Sequence, residues 1–307
     1  MNGLKKRNKY RRFLPFYIMM LPTVIYFIIN NYIPMLGLQL AFKNYKVPLG
    51  IWGSEWIGFK NFEFLFKTKD AWLITRNTIG YNFVFIAAGT LFSLLVSIML
   101  AEVVGKAAKK FYQTVILLPY LISMVVVAYL VNALLSTDTG FINNSILAPL
   151  GIEGINWYNE PKYWPFILVI VYIWKSFGYS TIIYMATLLG IDRGYYEAAT
   201  IDGASRWHQI KYISLPLLKP TIITLTLLSI GKIFYSDFGL FYQVPMESGP
   251  LYAVTNTIDT YVYRGLMLMG NIGMSAASGF YQSMVGFVLI LVTNYSVRKI
   301  SRENALF

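Results

Sequence analysis

The sequence predicts an all-α integral membrane protein with six transmembrane helices. Three observations carry that expectation. Of the 307 residues, 56% are hydrophobic and 13% are charged, against about 25% charged in ordinary soluble domains. The apolar residues fall in runs of about 20, the length a helix needs to cross about 30 Å of hydrocarbon. The basic residues gather at the borders of these runs, and more densely in alternate loops.

The chain starts with Lys5, Lys6, Arg7, Lys9, Arg11 and Arg12 and no acid among them, which reads as a cytoplasmic anchor. Phe13 to Leu36 is longer than the roughly 7–15 residues of a signal-peptide core and has no small-x-small cleavage site, so it is read as span 1. Spans 2 to 6 are expected near Thr78–Leu100, Tyr112–Leu135, Trp164–Leu189, Leu217–Tyr235 and Ala276–Val297. Pro119 removes a backbone hydrogen bond inside span 3 and should kink it.

With the amino terminus inside, the inner segments hold the six residues above, then Lys106, Lys109 and Lys110, then Arg193, Arg206, Lys211 and Lys219, then Arg298, Lys299 and Arg302. The outer segments hold fewer over a greater length: Lys43, Lys46, Lys60, Lys67, Lys69, Arg76, Lys162 and Arg264. The positive-inside rule therefore puts both termini in the cytoplasm.

The first outer loop, Gly37 to Asn77, mixes aromatics, glycines and charges. It reads as short interfacial helices anchored by Trp52, Trp56, Phe62 and Phe66, or alternatively as a docking surface for an external binding protein. Within the long outer segment from Ser236 to Ser275, Ile258, Tyr261, Val262 and Gly265 fall on one helical face.

Several function classes lose support. The chain has no cysteine, which excludes disulfides, thiolate metal sites and a cysteine nucleophile. The net charge of +12 sits at membrane borders, so it does not argue for nucleic acid. His208 is the one histidine, and no carboxylate array or nucleophile accompanies it; no catalytic residue or metal ligand is expected. Gly105-Lys106 and Gly231-Lys232 lack the rest of a GxxxxGK[ST] phosphate loop, so this chain should not hydrolyse ATP alone.

One polar stretch, Glu197 to Pro220, lies on the inner side between spans 4 and 5. Its pattern is helix, a break at Gly203, a second helix carrying Trp207, Ile210 and Ile213, and then Pro216 opening span 5. Glu197-Ala198-Ala199, three residues, Gly203, nine residues, then Ile213-x-Leu215-Pro216 resembles the cytoplasmic signature of permease subunits of binding-protein-dependent ABC importers. Asp202, Ala204 and Pro220 fit its carbohydrate-importer form, related to the maltose permease family. Further points of resemblance are Asn77-Thr78, Leu118-Pro119, Gly140, Asn143 and Trp174.

The resemblance implies a type I ABC importer permease fold in the bacterial cytoplasmic membrane, with residues 190–216 as a coupling helix that docks on a partner ATPase. The implied layout is an N-terminal part over residues 1–71, a transmembrane domain over 72–300 and a cytoplasmic tail over 301–307. The implied partners are a second homologous permease, two ATP-binding subunits that carry ATP and Mg, an extracytoplasmic solute-binding protein and membrane lipid. The implied coupling residues are Glu197, Ala198, Ala199, Asp202, Gly203, Ala204, Ile213, Leu215 and Pro216, and the implied solute is a carbohydrate. A non-sugar solute remains an alternative. So do a secondary transporter and a membrane enzyme using Asp192, Glu197 and Asp202.

For the solute path, polar and aromatic residues within or beside the spans are the candidates: Asn82, Asn132, Tyr172, Trp174, Lys175, Tyr179, Tyr235, Asp237 and Gln282. Aromatic faces stack on sugar C–H surfaces while amide, ammonium and phenol groups bond hydroxyls. The competing reading is that these aromatics face lipid or pack between helices, and that Lys175 snorkels or pairs with the partner permease.

Overall fold

The computed structural model describes residues 3–300 and 305, with side chains over 13–299 and 305. The basic cluster from Lys5 to Arg12, Arg302 and nearly all of the expected tail at 301–307 lie outside the described side chains. Ten helices organise the chain: α1 Gly3–Phe27, α2 Lys69–Ala101, α3 Lys106–Leu121, α4 Met124–Leu135, α5 Trp164–Leu189, α6 Arg193–Ile201, α7 Leu215–Ile230, α8 Phe238–Gln243, α9 Ile258–Met267 and α10 Ile272–Ile300. Among the described residues, five helical runs are long and apolar enough to cross a membrane, and α3 with α4 makes a sixth if the bent pair is one span.

The chain divides into two compact units. One comprises Met1–Phe66 with Gly265–Phe280, the other Lys67–Arg264 with Tyr281–Phe307.

In the first unit, every side chain from Phe13 to Leu36 is exposed, as suits a helix whose solvent is hydrocarbon. The first outer loop contains a two-stranded antiparallel hairpin, with β1 Lys43–Asn44 facing β2 Glu55–Trp56. Phe42 stacks on Trp56 at 5.7 Å. Phe62 is buried against Ala41, Ala277 and Phe280, so it is a core residue and not the interfacial anchor expected. Trp52, Trp56 and Phe66 remain exposed.

The second unit is built on α2 packed along α5. Lipid tails are as apolar as leucine, so helices associate here through close packing and buried polar contacts. Ser93 Oγ donates to the Phe177 carbonyl at 3.2 Å, and Thr181 Oγ1 to the Ser93 carbonyl at 3.4 Å, both side chains fully buried. At Gly178 the backbones of α3 and α5 touch. A Cβ built there would stand 1.9 Å from the Ile116 carbonyl oxygen.

Span 3 is broken and not merely kinked. α3 and α4 meet at 94°, and the break lies after Pro119, at Ile122 and Ser123, where the backbone is extended. Ser123 starts α4 as its N-cap, accepting from the Val126 amide at 3.4 Å.

Span 5 also differs from expectation. Its helix ends at Ile230, so Tyr235 and Asp237 lie in the chain beyond it. Asp237 is the N-cap of α8, accepting from the Leu240 amide at 3.1 Å. At its other end the helix does not begin at Pro216. It runs without interruption from Arg206 through a π-helical turn, Ile210–Ser214, into α7. Pro216 lies inside this run, two residues past the π-helical turn, and both features loosen the helix there.

Candidate functional site

The Glu197–Pro216 stretch folds as a helix, a left-handed turn and the start of the long helix. Asp192 caps α6, its Oδ1 accepting from the Gly194 amide at 2.9 Å. At the other end Gly203 has φ of +80°. Its N–H donates to the Thr200 carbonyl at 3.1 Å, and the Ala204 N–H reaches back to the Ala199 carbonyl at 2.8 Å. These two bonds are a Schellman motif, which needs a residue that adopts positive φ without strain. No atom lies within 4 Å of a Cβ built at Gly203, so the glycine is there for backbone conformation and not for space.

Ser205 caps the next helix and its Oγ lies 2.7 Å from His208 Nδ1. That contact gives His208 a local structural role. The sequence reading missed Gln209, which is buried inside this turn. Its Nε2 donates to Thr200 Oγ1 at 2.9 Å and to the Ala204 carbonyl at 3.4 Å. Tyr196 and Ser214 close the far side with hydroxyls 2.9 Å apart.

The braced turn presents its expected coupling residues outward. Glu197, Ala198, Asp202, Gly203 and Pro216 are exposed, while Ala199, Ala204, Ile213 and Leu215 are half-buried. Ile201 is 87% and Trp207 68% exposed. A rigid turn with two large apolar side chains in the open is a surface suited to a protein partner.

The expected path residues fall into two groups. In one, the polar groups are occupied by the protein itself. Lys175 Nζ donates to the carbonyls of Pro119, Tyr120 and Ile122 at 3.3, 3.2 and 2.5 Å. An ammonium has three donors, so in this geometry all three of the Lys175 donors go to the open end of α3. Asn82 Nδ2 donates to the Thr78, Ile233 and Tyr235 carbonyls, each at 2.9 Å. Gln282 is buried and donates to the Phe234 carbonyl at 2.7 Å and to Asp259 Oδ2 at 3.2 Å. Tyr172 stacks on Phe85 at 3.8 Å in the α2–α5 interface, and Asn132 is half-buried in α4 beside Tyr158.

The second group is open. Trp174 is exposed on α5, and Tyr179 is exposed and stacked on Tyr120 at 5.1 Å. Tyr235 is exposed, with its hydroxyl 2.8 Å from Ser283 Oγ, and Asp237 is exposed beside it in the chain.

The other residues that carried the family resemblance are structural ties. Asn77 Nδ2 donates to the Ala253 and Asn256 carbonyls, and Thr78 Oγ1 accepts from the Ile258 amide at 3.0 Å, fastening α2 to the segment that leads into α9. Buried Asn143 bonds Thr137, Ile155 and the Trp157 indole, closing the second outer loop. A side chain at Gly140 would stand 2.2 Å from the Ser136 carbonyl. Sequence reading also passed over Asp259, whose Oδ2 receives the Ser236 amide and hydroxyl at 2.6 and 2.8 Å.

Residues 89–302 match the family model described as the binding-protein-dependent transport system inner membrane component. The chain belongs to that family. This permease is 36% identical over 287 residues to the polygalacturonan/rhamnogalacturonan transport system permease protein YteP of Bacillus subtilis, covering 94% of this chain and 88% of the relative. A crystal structure of a bacterial ABC transporter involved in import of the acidic polysaccharide alginate contains a chain with TM-score 0.87 and 32% identity. That match covers 97% of the permease and 99% of that chain. A second structure, of the alginate ABC transporter in complex with its alginate pentasaccharide-bound periplasmic protein, matches with TM-score 0.86 and 33% identity over 96% and 97% of the two chains. The permease is thus a multi-pass inner-membrane subunit of the type I ABC importer fold.

Proposed function

We propose that the permease forms half of the translocation path for an oligosaccharide in an ATP-driven importer. The observation that carries the substrate class is the end-to-end similarity to the alginate transporter chain, at 33% identity over 96% of the permease. YteP, by its name a permease for polygalacturonan and rhamnogalacturonan, supports the same class. Acidic oligosaccharides are therefore the first solutes to test. The exposed aromatic group of Trp174, Tyr179 and Tyr120, with Tyr235 and Asp237, offers stacking faces and hydroxyl partners for a sugar.

A second permease of the same family completes the path, two ATP-binding subunits carry ATP and Mg, and a binding protein delivers the sugar from outside. Both termini lie in the cytoplasm, which puts the Gly203 turn on the ATPase side. Closure of the ATPases moves the turn, and the helix from Arg206 carries the motion into the membrane. The permease itself hydrolyses nothing.

The test is ATPase activity of the reconstituted complex with binding protein loaded with uronate or neutral oligosaccharides, in wild type and in Gly203→Pro or Glu197→Lys. Stimulation by one sugar class, lost in the variants while the subunits remain folded, supports the proposal. Transport without any ATPase, or variants that change nothing, overturns it. Stimulation only by a non-sugar solute overturns the substrate class alone.

A further inference from the structure

A cavity of about 600 Å³ opens beside the coupling turn, between the end of α2, the start of α3 and the 193–214 segment. Lys106, Lys109, Arg193 and Arg206 line it, and Glu102 is its one acidic lining residue. Glu102 lies 3.5 Å from Arg206, and Lys109 Nζ donates to the Ala101 carbonyl at 3.1 Å. Among the described residues, Lys106 and Arg193 have no acidic partner. Four cations and one carboxylate leave the cavity with a surplus of positive charge. Among the described residues, no second carboxylate lines the cavity to neutralise it.

The positions of these cations are also locally unfavourable. Lys106 is the first residue of α3, Arg193 the first of α6, and Arg206 the first of the helix leading into α7. The first turn of a helix favours carboxylates and disfavours cations, so helix stability does not account for them. The positive-inside bias explains which side of the membrane they occupy, and a bound anion explains why they converge on one cavity. The rest of the wall mixes the Tyr196 and Ser214 hydroxyls with apolar Val103, Val104 and Leu189, and the cavity adjoins the ends of two membrane-length helices. That combination suits a phosphate group carried at an apolar surface.

We propose that this cavity binds a phosphate-bearing anion, held by Lys106 and Lys109 on one side and Arg193 and Arg206 on the other. The phosphate comes from an anionic lipid headgroup or from soluble phosphate. In either case the anion ties the α2–α3 loop to the coupling turn, so occupancy regulates how freely that turn moves.

The experiment uses the purified transporter complex in phosphatidylcholine vesicles carrying a trace of photoactivatable phosphatidylglycerol. Peptides spanning 98–109 and 188–206 should be labelled, and labelling should fall about tenfold in the Lys106→Gln/Lys109→Gln variant. Arg193→Gln is the second variant, should the double one fail to assemble. If inorganic phosphate binds to the wild type, weakens in the variants, and phosphatidylglycerol does not label, the cavity takes soluble phosphate. If neither probe binds there, because the ATPase covers the cavity or for any other reason, or if binding is unchanged in the variants, the proposal is overturned.

Discussion

The Lys175 ammonium lies 2.5 Å from the Ile122 carbonyl, at the point where span 3 breaks. The last carbonyls of α3 have no partner within their helix; the Ile122 amide reaches back to the Pro119 carbonyl at 3.3 Å, and Lys175 supplies donors to the Tyr120 and Ile122 carbonyls. A cation at a helix C-terminus also meets the negative end of the helix dipole. The lysine therefore makes the break affordable inside a membrane, where unpaired backbone groups are costly.

Lys175→Met should destabilise the permease by about 3 kcal/mol, because it removes charge-assisted bonds and leaves carbonyls unpaired. Thermal unfolding of the purified complex measures this. A variant of unchanged stability with a raised KM for the solute would instead put Lys175 in contact with the sugar.

Gly203→Ala should cost about 1 kcal/mol, the price of positive φ at a residue with a side chain. The loss should be local, with faster hydrogen exchange at the amides of Gly203 and Ala204 and little change elsewhere. Uniformly faster exchange across α5 and α7 would show that the turn is not an independent unit.

Gly178→Val should separate α3 from α5, since a Cβ there stands 1.9 Å from a backbone oxygen. Overpacking typically costs about 1–3 kcal/mol, and this contact is with rigid backbone, so the upper end is expected. Gly80→Ala is the matched control. Gly80 sits inside α2 with nothing within 4 Å of a built Cβ, and its replacement should stabilise by up to about 1 kcal/mol. Folded yield from membranes ranks the two variants against wild type.

Tyr242, in α8 outside the spans, donates to Glu247 Oε2 at 2.9 Å. Partial burial first, and the bond to Glu247 next, push its hydroxyl up to about 12. The folded chain thus favours neutral tyrosine. Stability from this contact is complete below the ordinary value near 10 and is lost as pH rises from there toward 12. The difference in melting temperature between wild type and Tyr242→Phe should therefore shrink above about pH 10. A difference that grows would reverse the sign of the linkage.

The spans were legible because a membrane helix announces itself by length and apolar composition; α5 begins and ends at the residues expected, Trp164 and Leu189. The turn at Gly203 was legible because the glycine has a backbone reason that the sequence states. The break in span 3 was not. Pro119 marks a weakness, but the angle depends on Ser123 capping the next helix and on Lys175 arriving from 53 residues away. The partners of the candidate path residues were not legible for a similar reason. Asn82, Lys175 and Gln282 have the chemistry that binds sugars, yet in an apolar setting the nearest unpaired groups are backbone carbonyls of neighbouring segments, and composition cannot say which carbonyls come near. Gln209 and Asp259 were missed because each bonds to its neighbours across a turn or loop and carries no motif.

The unbroken helical run from Arg206 to Ile230 has a mechanical consequence. At about 1.5 Å per residue, its 25 residues make a rod of roughly 37 Å, with the Gly203 turn at one tip and the Tyr235 region, gripped by Asn82 through its carbonyl, just past the other. A lever of that length converts a small tilt at the Gly203 tip into an ångström-scale stroke at the far end. Its yielding joints are the π-helical turn at Ile210–Ser214 and the prolines just beyond it, Pro216 and Pro220, so the gearing of the lever is set by how stiff residues 210–220 are.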